Sequence, residues 1–180
     1  MSAAATATTE MFTSPEDAVK ERLSKANAIV RKNMYWAMGL GVVPVPLVDV
    51  IGVAGFQAKA LKELSTLYDI PFFQHSVKNI LAMLVSGFGS VGIGIPLTKA
   101  LAGSVMKSVP ILGQIVTVTT VPMVAGALTY AVGKVFVQHF ESGGTFLTFN
   151  PKKVHAYFKE QFAEGMKVAT GAEEAKATAK

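Results

Sequence analysis

Two uncharged stretches decide what this chain can fold into: NILAMLVSGFGSVGIGIPLT at residues 79–98 and SVPILGQIVTVTTVPMVAGALTYAVG at residues 108–133. The first has 20 residues, the second has 26, and each lies between two lysines. An α-helix of 20 residues is about 30 Å long, which is the thickness of the hydrocarbon core of a bilayer. Because only residues 99–107 separate the two stretches, they predict a transmembrane helical hairpin.

The composition favours a membrane-associated helical protein. Apolar residues make up 51% of the 180 positions and charged residues 16%, whereas soluble domains have about 25% charged residues. This apolar content excludes disorder over most of the chain. The absence of cysteine excludes disulfides, thiolate metal sites and cysteine nucleophiles. The net charge of +5 is spread along the chain rather than gathered in a basic patch, so no nucleic-acid partner is expected.

A third apolar segment, residues 33–58, is interrupted in its middle. It contains a single charged residue, Asp49, and two prolines, Pro44 and Pro46, which break a helix. Each half has about 12 residues, or about 18 Å of helix, and is too short to cross a bilayer. The segment therefore predicts a helical hairpin that enters the membrane and returns.

Amphipathic helices are predicted on both sides of these apolar segments. Residues 14–33 begin with Ser14, a good helix cap that precedes a proline, and continue with apolar residues three or four positions apart. Residues 151–167 show the same apolar spacing, and Asn150-Pro151 marks their start.

The predicted architecture is all-α and consists of one membrane-associated domain, residues 14–167. The Ala/Thr-rich residues 1–13 lack the features of a secretory signal. The last residues, 168–180, are of low complexity. Both ends are predicted to be disordered tails.

No motif supports catalysis or cofactor binding. Residues 87–92 match GxGxxG, but no acid follows before Glu141 to bind a ribose. Helix packing explains these glycines better, and no Walker motif is present. The three histidines lack the spacing of a metal site or a catalytic triad; they are His75, His139 and His155. We therefore expect a protein that is not an enzyme and that has no cofactor or metal.

Asp49 is the strongest candidate for a functional polar residue. An ionisable group in an apolar segment is costly, which favours a role in transport or a pairing with Lys59. Alternatively, Asp49 lies in the first turn after Pro46, where a helix N-terminus stabilises an anion. The absence of a second acid that could form a relay favours this structural alternative.

Small residues recur at four-residue spacing in both long uncharged stretches. Such faces let two helix backbones approach closely in lipid; the residues are Ser86, Ser90, Gly94, Ala125, Thr129 and Gly133. The amphipathic helices also need apolar partners. Together these features predict a homo-oligomer.

The lysines and arginines predict an orientation in the membrane. If residues 33–58 enter and return, eleven of these residues lie on one side and only Lys99 and Lys107 on the other. A single crossing would give seven against six. The positive-inside tendency favours the first arrangement, which places both termini in the cytosol.

Several elements together form a family pattern. Residues 44–49 have a Pro-x-Pro-x-x-Asp core, Gln57 follows eight positions later, and residues 64–68 form a Leu-x-x-Leu-Tyr helix. Over residues 26–146 the chain resembles the YcjF-like, GTPase-associated domain family of bacteria. It departs from the family pattern at Asp69, where a glycine is expected.

The resemblance implies a helical module of the bacterial inner membrane that works with an Era-like GTPase. Because no GTPase domain precedes residue 32, we expect any link to GTP hydrolysis to act in trans. The first functional hypothesis is a non-enzymatic scaffold or adaptor that recruits a GTPase or shapes membrane. The second is an oligomeric pore with Asp49 near the path. The third is a soluble helical bundle whose apolar helices are buried against each other.

Overall fold

The computed structural model describes residues 14–40, 48–89 and 112–178. All regular secondary structure in these ranges is helical, which confirms the predicted all-α class. The helices are α1 (Pro15–Leu40), α2 (Val48–Leu67), α3 (Gln74–Gly89), α4 (Leu112–Glu141) and α5 (Pro151–Thr178).

The two predicted helix starts are confirmed. Ser14 Oγ accepts a hydrogen bond from the Asp17 N–H at 3.2 Å, and Asn150 Oδ1 accepts one from the Lys152 N–H at 3.0 Å. In both helices the residue after the cap is a proline, whose missing N–H costs nothing in the first turn. The helices extend beyond their predicted ends: α1 continues to Leu40, and α5 continues to Thr178, into the segment predicted to be a tail.

Two helices end in the same backbone motif. After α4, the Gly143 N–H bonds the Phe140 carbonyl and the Gly144 N–H bonds the His139 carbonyl, both at 2.9 Å. This is a Schellman motif, and it needs a left-handed residue, here Gly143 with φ of 76°. After α2 the left-handed residue is Asp69, with φ of 53°. This is the position at which the family pattern expects a glycine.

The pair of α1 and α4 forms the centre of the bundle. The helices are antiparallel, because Arg22 meets Glu141, Asn27 meets Lys134, and residues 30 and 133 lie against each other. A Cβ atom on Gly133 would lie only 2.6 Å from Val30 Cγ2. The absence of a side chain at Gly133 therefore allows the two backbones to approach closely.

The other helices surround this pair. α5 packs antiparallel along α4, and a Cβ atom on its Gly165 would lie 3.0 Å from the Ala127 carbonyl oxygen. The turn between α4 and α5 carries an aromatic cluster around Phe136, which stacks on Phe149 with ring centroids 4.4 Å apart. α2 packs on α1 and α4, and α3 packs on α2 and α5.

The predicted transmembrane hairpin is wrong. Among the residues that the structure describes, no helix combines the length and the apolar character needed to cross a membrane. Residues 122–133, which belong to the second predicted span, are mostly buried within a helix that packs on α1, α2 and α5. A helix that is apolar on most sides is buried either in lipid or in the core of a protein. The apolar side chains of this helix contact protein.

The described part of the first predicted span, residues 79–89, also differs from a membrane helix in its pattern of burial. α3 buries one face, at Val77, Ile80, Leu81 and Leu84, and exposes Asn79. Residues 90–98 and 108–111 lie outside the described ranges. The orientation that placed Lys99 and Lys107 on the far side depended on this hairpin and loses its basis with it.

The predicted hairpin of residues 33–58 is divided between two longer helices. Its first part is the end of α1 and its last part is the first half of α2. Pro44 and Pro46 lie outside the described residues, between the end of α1 at Leu40 and the start of α2 at Val48. The two helices pack on each other as parts of the bundle.

We predict that Gly133→Ala destabilises the fold although it improves helix propensity. The new methyl group must displace the stiff, fully buried Val30 side chain, and overpacking of this kind costs about 1–3 kcal/mol. The measurement is the free energy of unfolding in urea. The matched control is Gly55→Ala, at an exposed position of α2 with open space around the glycine, which should stabilise by up to about 1 kcal/mol.

A double-mutant cycle tests the stated cause. In a Val30→Ala background the two clashing methyl groups are gone, so Gly133→Ala should become neutral or stabilising. An unchanged penalty in that background would show that the close approach of α1 and α4 is not the reason.

We predict that Asp69→Gly stabilises the chain by about 1 kcal/mol. The substitution removes the strain of a non-glycine residue in the left-handed conformation, and it removes an anion from the negative end of the α2 dipole. Asp69→Asn separates the two effects, because it removes the charge and keeps a side chain. Gly143→Ala, at the equivalent position after α4, should destabilise. A drop in thermal midpoint for Asp69→Gly would contradict this account.

Candidate functional site

The polar group with the most hydrogen bonds joins three helices. Arg22 of α1 donates to both carboxylate oxygens of Glu141 at the end of α4, through Nε at 3.0 Å and Nη2 at 2.8 Å. The Tyr68 hydroxyl, next to the end of α2, donates to Glu141 Oε1 at 2.7 Å. The Arg22 guanidinium lies 5.6 Å from the centre of the Tyr68 ring. We call these three residues the Arg22–Tyr68–Glu141 cluster.

The electrostatics of this cluster favour the charged pair. The hydrogen bond from Arg22 holds the pKa of Glu141 below its ordinary value, and the bond from Tyr68 adds to this effect against the opposing effect of burial. Burial, together with the bond to Glu141, raises the pKa of Tyr68 far above its ordinary value. Because both carboxylate oxygens already accept strong hydrogen bonds, the cluster is suited to holding helix ends together rather than to exchanging protons.

A second cluster lies between α1 and α2. Glu63 Oε2 accepts a hydrogen bond from the buried Asn33 Nδ2 at 3.0 Å and an ion pair from Lys32 Nζ at 2.9 Å. Asn33 Nδ2 also donates to the Ile29 carbonyl. Its Oδ1 is buried and has no hydrogen-bond partner among the described residues. This cluster fixes the register of α1 against α2.

A shallow cleft lies beside the first cluster, with a volume of about 320 Å³. It is lined by Leu23, Lys134, Val137, Gln138, Glu141 and Tyr157. Lys134 Nζ donates to Asn27 Oδ1 at 2.9 Å, and burial, with a smaller effect of Arg31, lowers the pKa of Lys134. The cleft lining holds no serine, threonine, cysteine or histidine, and no group of three or more metal-ligating side chains occurs among the described residues.

The structure distributes the predicted polar residues along α2. Asp49 is the second residue of this helix. Lys59 is exposed and Gln57 is buried. Ten residues of helix place the backbones of Asp49 and Lys59 about 15 Å apart along the axis, so the helix does not bring this predicted pair together.

The predicted helix-packing residues fall into two groups. Ala125, Thr129 and Gly133 are buried in α4, and Gly133 faces Val30 of α1 rather than a second small-residue helix. Ser86 belongs to α3, while Ser90 and Gly94 lie outside the described residues. The apolar faces of α1 and α5 pack on α4 in the same chain.

No sequence motif marks the Arg22–Tyr68–Glu141 cluster. One signal was present: residues 70–140 contain no Asp or Glu, and Glu141 is the first acid after them. Its partner could not be identified, because Arg22 is separated from it by 119 positions.

Comparison with known proteins identifies the family. Residues 12–166 match the family described as a domain of unknown function, DUF697. The chain belongs to the DUF697 family. The match covers the described helices from α1 into α5 and extends beyond the resemblance drawn from residues 26–146. The family description mentions no GTPase.

This DUF697 domain is also similar to a curated bacterial protein. It is 33% identical over 144 residues to magnetosome membrane protein 22 of Magnetospirillum gryphiswaldense, covering 80% of this chain and 72% of that protein. No solved structure gives a significant match. The relative's name places that protein in a membrane, which agrees with the membrane association expected from the composition.

We predict that Glu141→Gln lowers the thermal midpoint at neutral pH and has little effect in acid. Because the folded-state pKa of Glu141 lies below its ordinary value of 4.5, the ion pair stabilises the fold fully above that pH and is lost as the pH falls through the lowered pKa. Thermal unfolding of both proteins between pH 2 and pH 7 measures the difference.

The control for this prediction is Glu164→Gln. It changes the net charge equally, but its ion pair is an exposed i,i+3 pair with Lys167, so its effect should be small at every pH. A Glu141→Gln effect that stays constant into strong acid would contradict the assigned role of the carboxylate.

Proposed function

We propose that this DUF697 domain is a non-enzymatic, membrane-associated helical scaffold. The observation that carries the proposal is the similarity to a magnetosome membrane protein over most of both chains. The low charged fraction, 16%, supports the same conclusion, because it leaves few charges to cover the surface of an ordinary domain.

The polar groups of the described residues support a role without catalysis. Glu141 and Glu63 are each held by a cation and by a second hydrogen bond from Tyr68 or Asn33. Such side chains lack the free, positioned acid or base that general acid–base chemistry needs. They make the bundle rigid, which suits a scaffold.

The proposal includes the bacterial inner membrane as the location, with the chain bound from the cytosolic side and both termini in the cytosol. A cytosolic GTPase acting in trans is the partner class that the sequence resemblance implies. The bundle would then serve as an adaptor that holds the GTPase at the bilayer or helps to shape the membrane. The pore hypothesis for Asp49 stays a prediction.

Self-association is also part of the proposal. The sequence spacing of Ser86, Ser90 and Gly94 motivates it; of these three residues only Ser86 belongs to a described helix, α3, whereas the small residues of α4 already contact α1. A homo-oligomer would gather several membrane contacts in one particle, which raises the overall affinity for a surface.

We expect the full chain to float with lipid vesicles in a density gradient. Vesicles of phosphatidylethanolamine with phosphatidylglycerol serve as the probe, and light scattering of the purified chain should give a multiple of 19.0 kDa. A chain that stays at the bottom of the gradient with every vesicle composition would refute the membrane proposal. A mass of 19.0 kDa at all concentrations would refute self-association alone.

A further inference from the structure

The second half of α1 carries two exposed aromatic residues among exposed basic ones. Trp36 is 58% exposed and Tyr35 is 44% exposed, and the neighbouring Arg31 and Lys32 are exposed as well. At 100° per residue these four side chains fall within an arc of about 140° around the helix. Large aromatic residues are seldom left exposed without a reason when they adjoin one another.

The α2 helix adds two more cations to the same region. Arg22 lies over Tyr68 while Lys32 meets Glu63, so α1 and α2 run antiparallel. Trp36 lies one turn after Lys32 in α1, and Lys59 lies one turn before Glu63 in α2. Because Lys32 and Glu63 are paired, Trp36 and Lys59 lie at the same height along the two helices. Lys59 and Lys62 are exposed. We call this region the aromatic–basic surface; it comprises Arg31, Lys32, Tyr35, Trp36, Lys59 and Lys62.

The charge of this surface is one-sided. Residues 25–40 and 54–62 contain no Asp or Glu. The nearest acid in the contact between the helices is Glu63, whose Oε2 is already held by Lys32 and Asn33. Although Glu63 follows Lys62 directly in α2, no ion pair of Arg31, Lys59 or Lys62 is found among the described residues. The surplus of exposed cations is complementary to a negatively charged surface.

We propose that the aromatic–basic surface docks on the headgroups of an anionic bilayer. This inference rests on the proposed membrane association and names the face and the lipid class that carry it. Tyr and Trp prefer the headgroup level of a bilayer, because their rings are apolar and their polar tips stay hydrated. Lys and Arg at the same level are attracted to anionic lipids, each worth about a fivefold gain in binding.

The position of the surface in the chain fits this occupant. Trp36 lies one turn before the end of α1, and Asp49 is the one charged residue in the next 22 positions, 37–58. The headgroup level of a bilayer also accommodates the exposed rings of Tyr35 and Trp36. An acidic protein surface would match the cations without requiring these rings.

The chain provides its own probe for this contact, because Trp36 is its sole tryptophan. We expect the emission of Trp36 to move to shorter wavelength when vesicles containing phosphatidylglycerol are added. Phosphatidylcholine vesicles should cause little change, and high salt should reverse the shift. Brominated lipids should quench the emission, which reports contact with the bilayer directly.

Charge variants test the basic part of the surface. Arg31→Gln, Lys59→Gln and Lys62→Gln together should lower the partitioning to anionic vesicles at least about tenfold. The matched control is Lys152→Gln, Lys153→Gln and Lys159→Gln, which removes the same charge from exposed positions of α5 and should change partitioning much less. Trp36→Ala, assayed by flotation, should weaken binding while the helical circular dichroism stays unchanged, because the side chain is exposed.

The outcomes separate this inference from the proposal beneath it. Flotation with unshifted and unquenched Trp36 emission would refute the docking surface and leave the membrane proposal standing. Equal losses in the two triple variants would show that net charge, and not this surface, drives binding, and would also refute it. Failure to float with any vesicle would refute both. Binding to an acidic protein in place of anionic vesicles would replace the bilayer as the occupant.

Discussion

The close contact of α1 with α4 is the constraint on which the rest of the structure depends. Gly133 lies directly against the fully buried Val30, and α5 approaches α4 just as closely from another direction at Gly165. With neighbours so near, the apolar residues of α4 become the core of the bundle. This packing explains why α4, whose sequence predicts a membrane span, has most of its described side chains buried in protein.

The ends of the helices are held by polar contacts that complement this core. The Arg22–Tyr68–Glu141 cluster ties the start of α1 to the ends of α2 and α4, and Glu63 links α1 to α2 one level further along. Isolated ion pairs at a protein surface contribute little stability, whereas these carboxylates also accept hydrogen bonds from Tyr68 or Asn33. Their value lies in register, because each requires particular residues of separate helices to be at the same height.

A rigid register matters for the role we propose. The six residues of the aromatic–basic surface come from two helices, and only the antiparallel alignment of α1 with α2 places Lys59 level with Trp36. Membrane binding through such a surface requires no moving parts and no free acid or base. The carboxylates of Glu141 and Glu63 are accordingly held in structural contacts, and the side chains that face solvent on this surface are cations and aromatic rings.

The sequence by itself determined the helical class, the helix starts at Ser14 and Asn150 and the interruption between α1 and α2, because capping residues and prolines act over a few positions. It also showed Asp69 in place of a glycine. Hydropathy cannot distinguish lipid from a protein core, since both accept the same apolar side chains, so residues 108–133 read alone predict a membrane span although residues 122–133 are mostly buried in protein. Which helix lies against Gly133, and which cation meets Glu141, depends on residues about a hundred positions apart. Only tertiary packing brings those residues together, and so only the structure decided where the core ends and which surface remains free to bind.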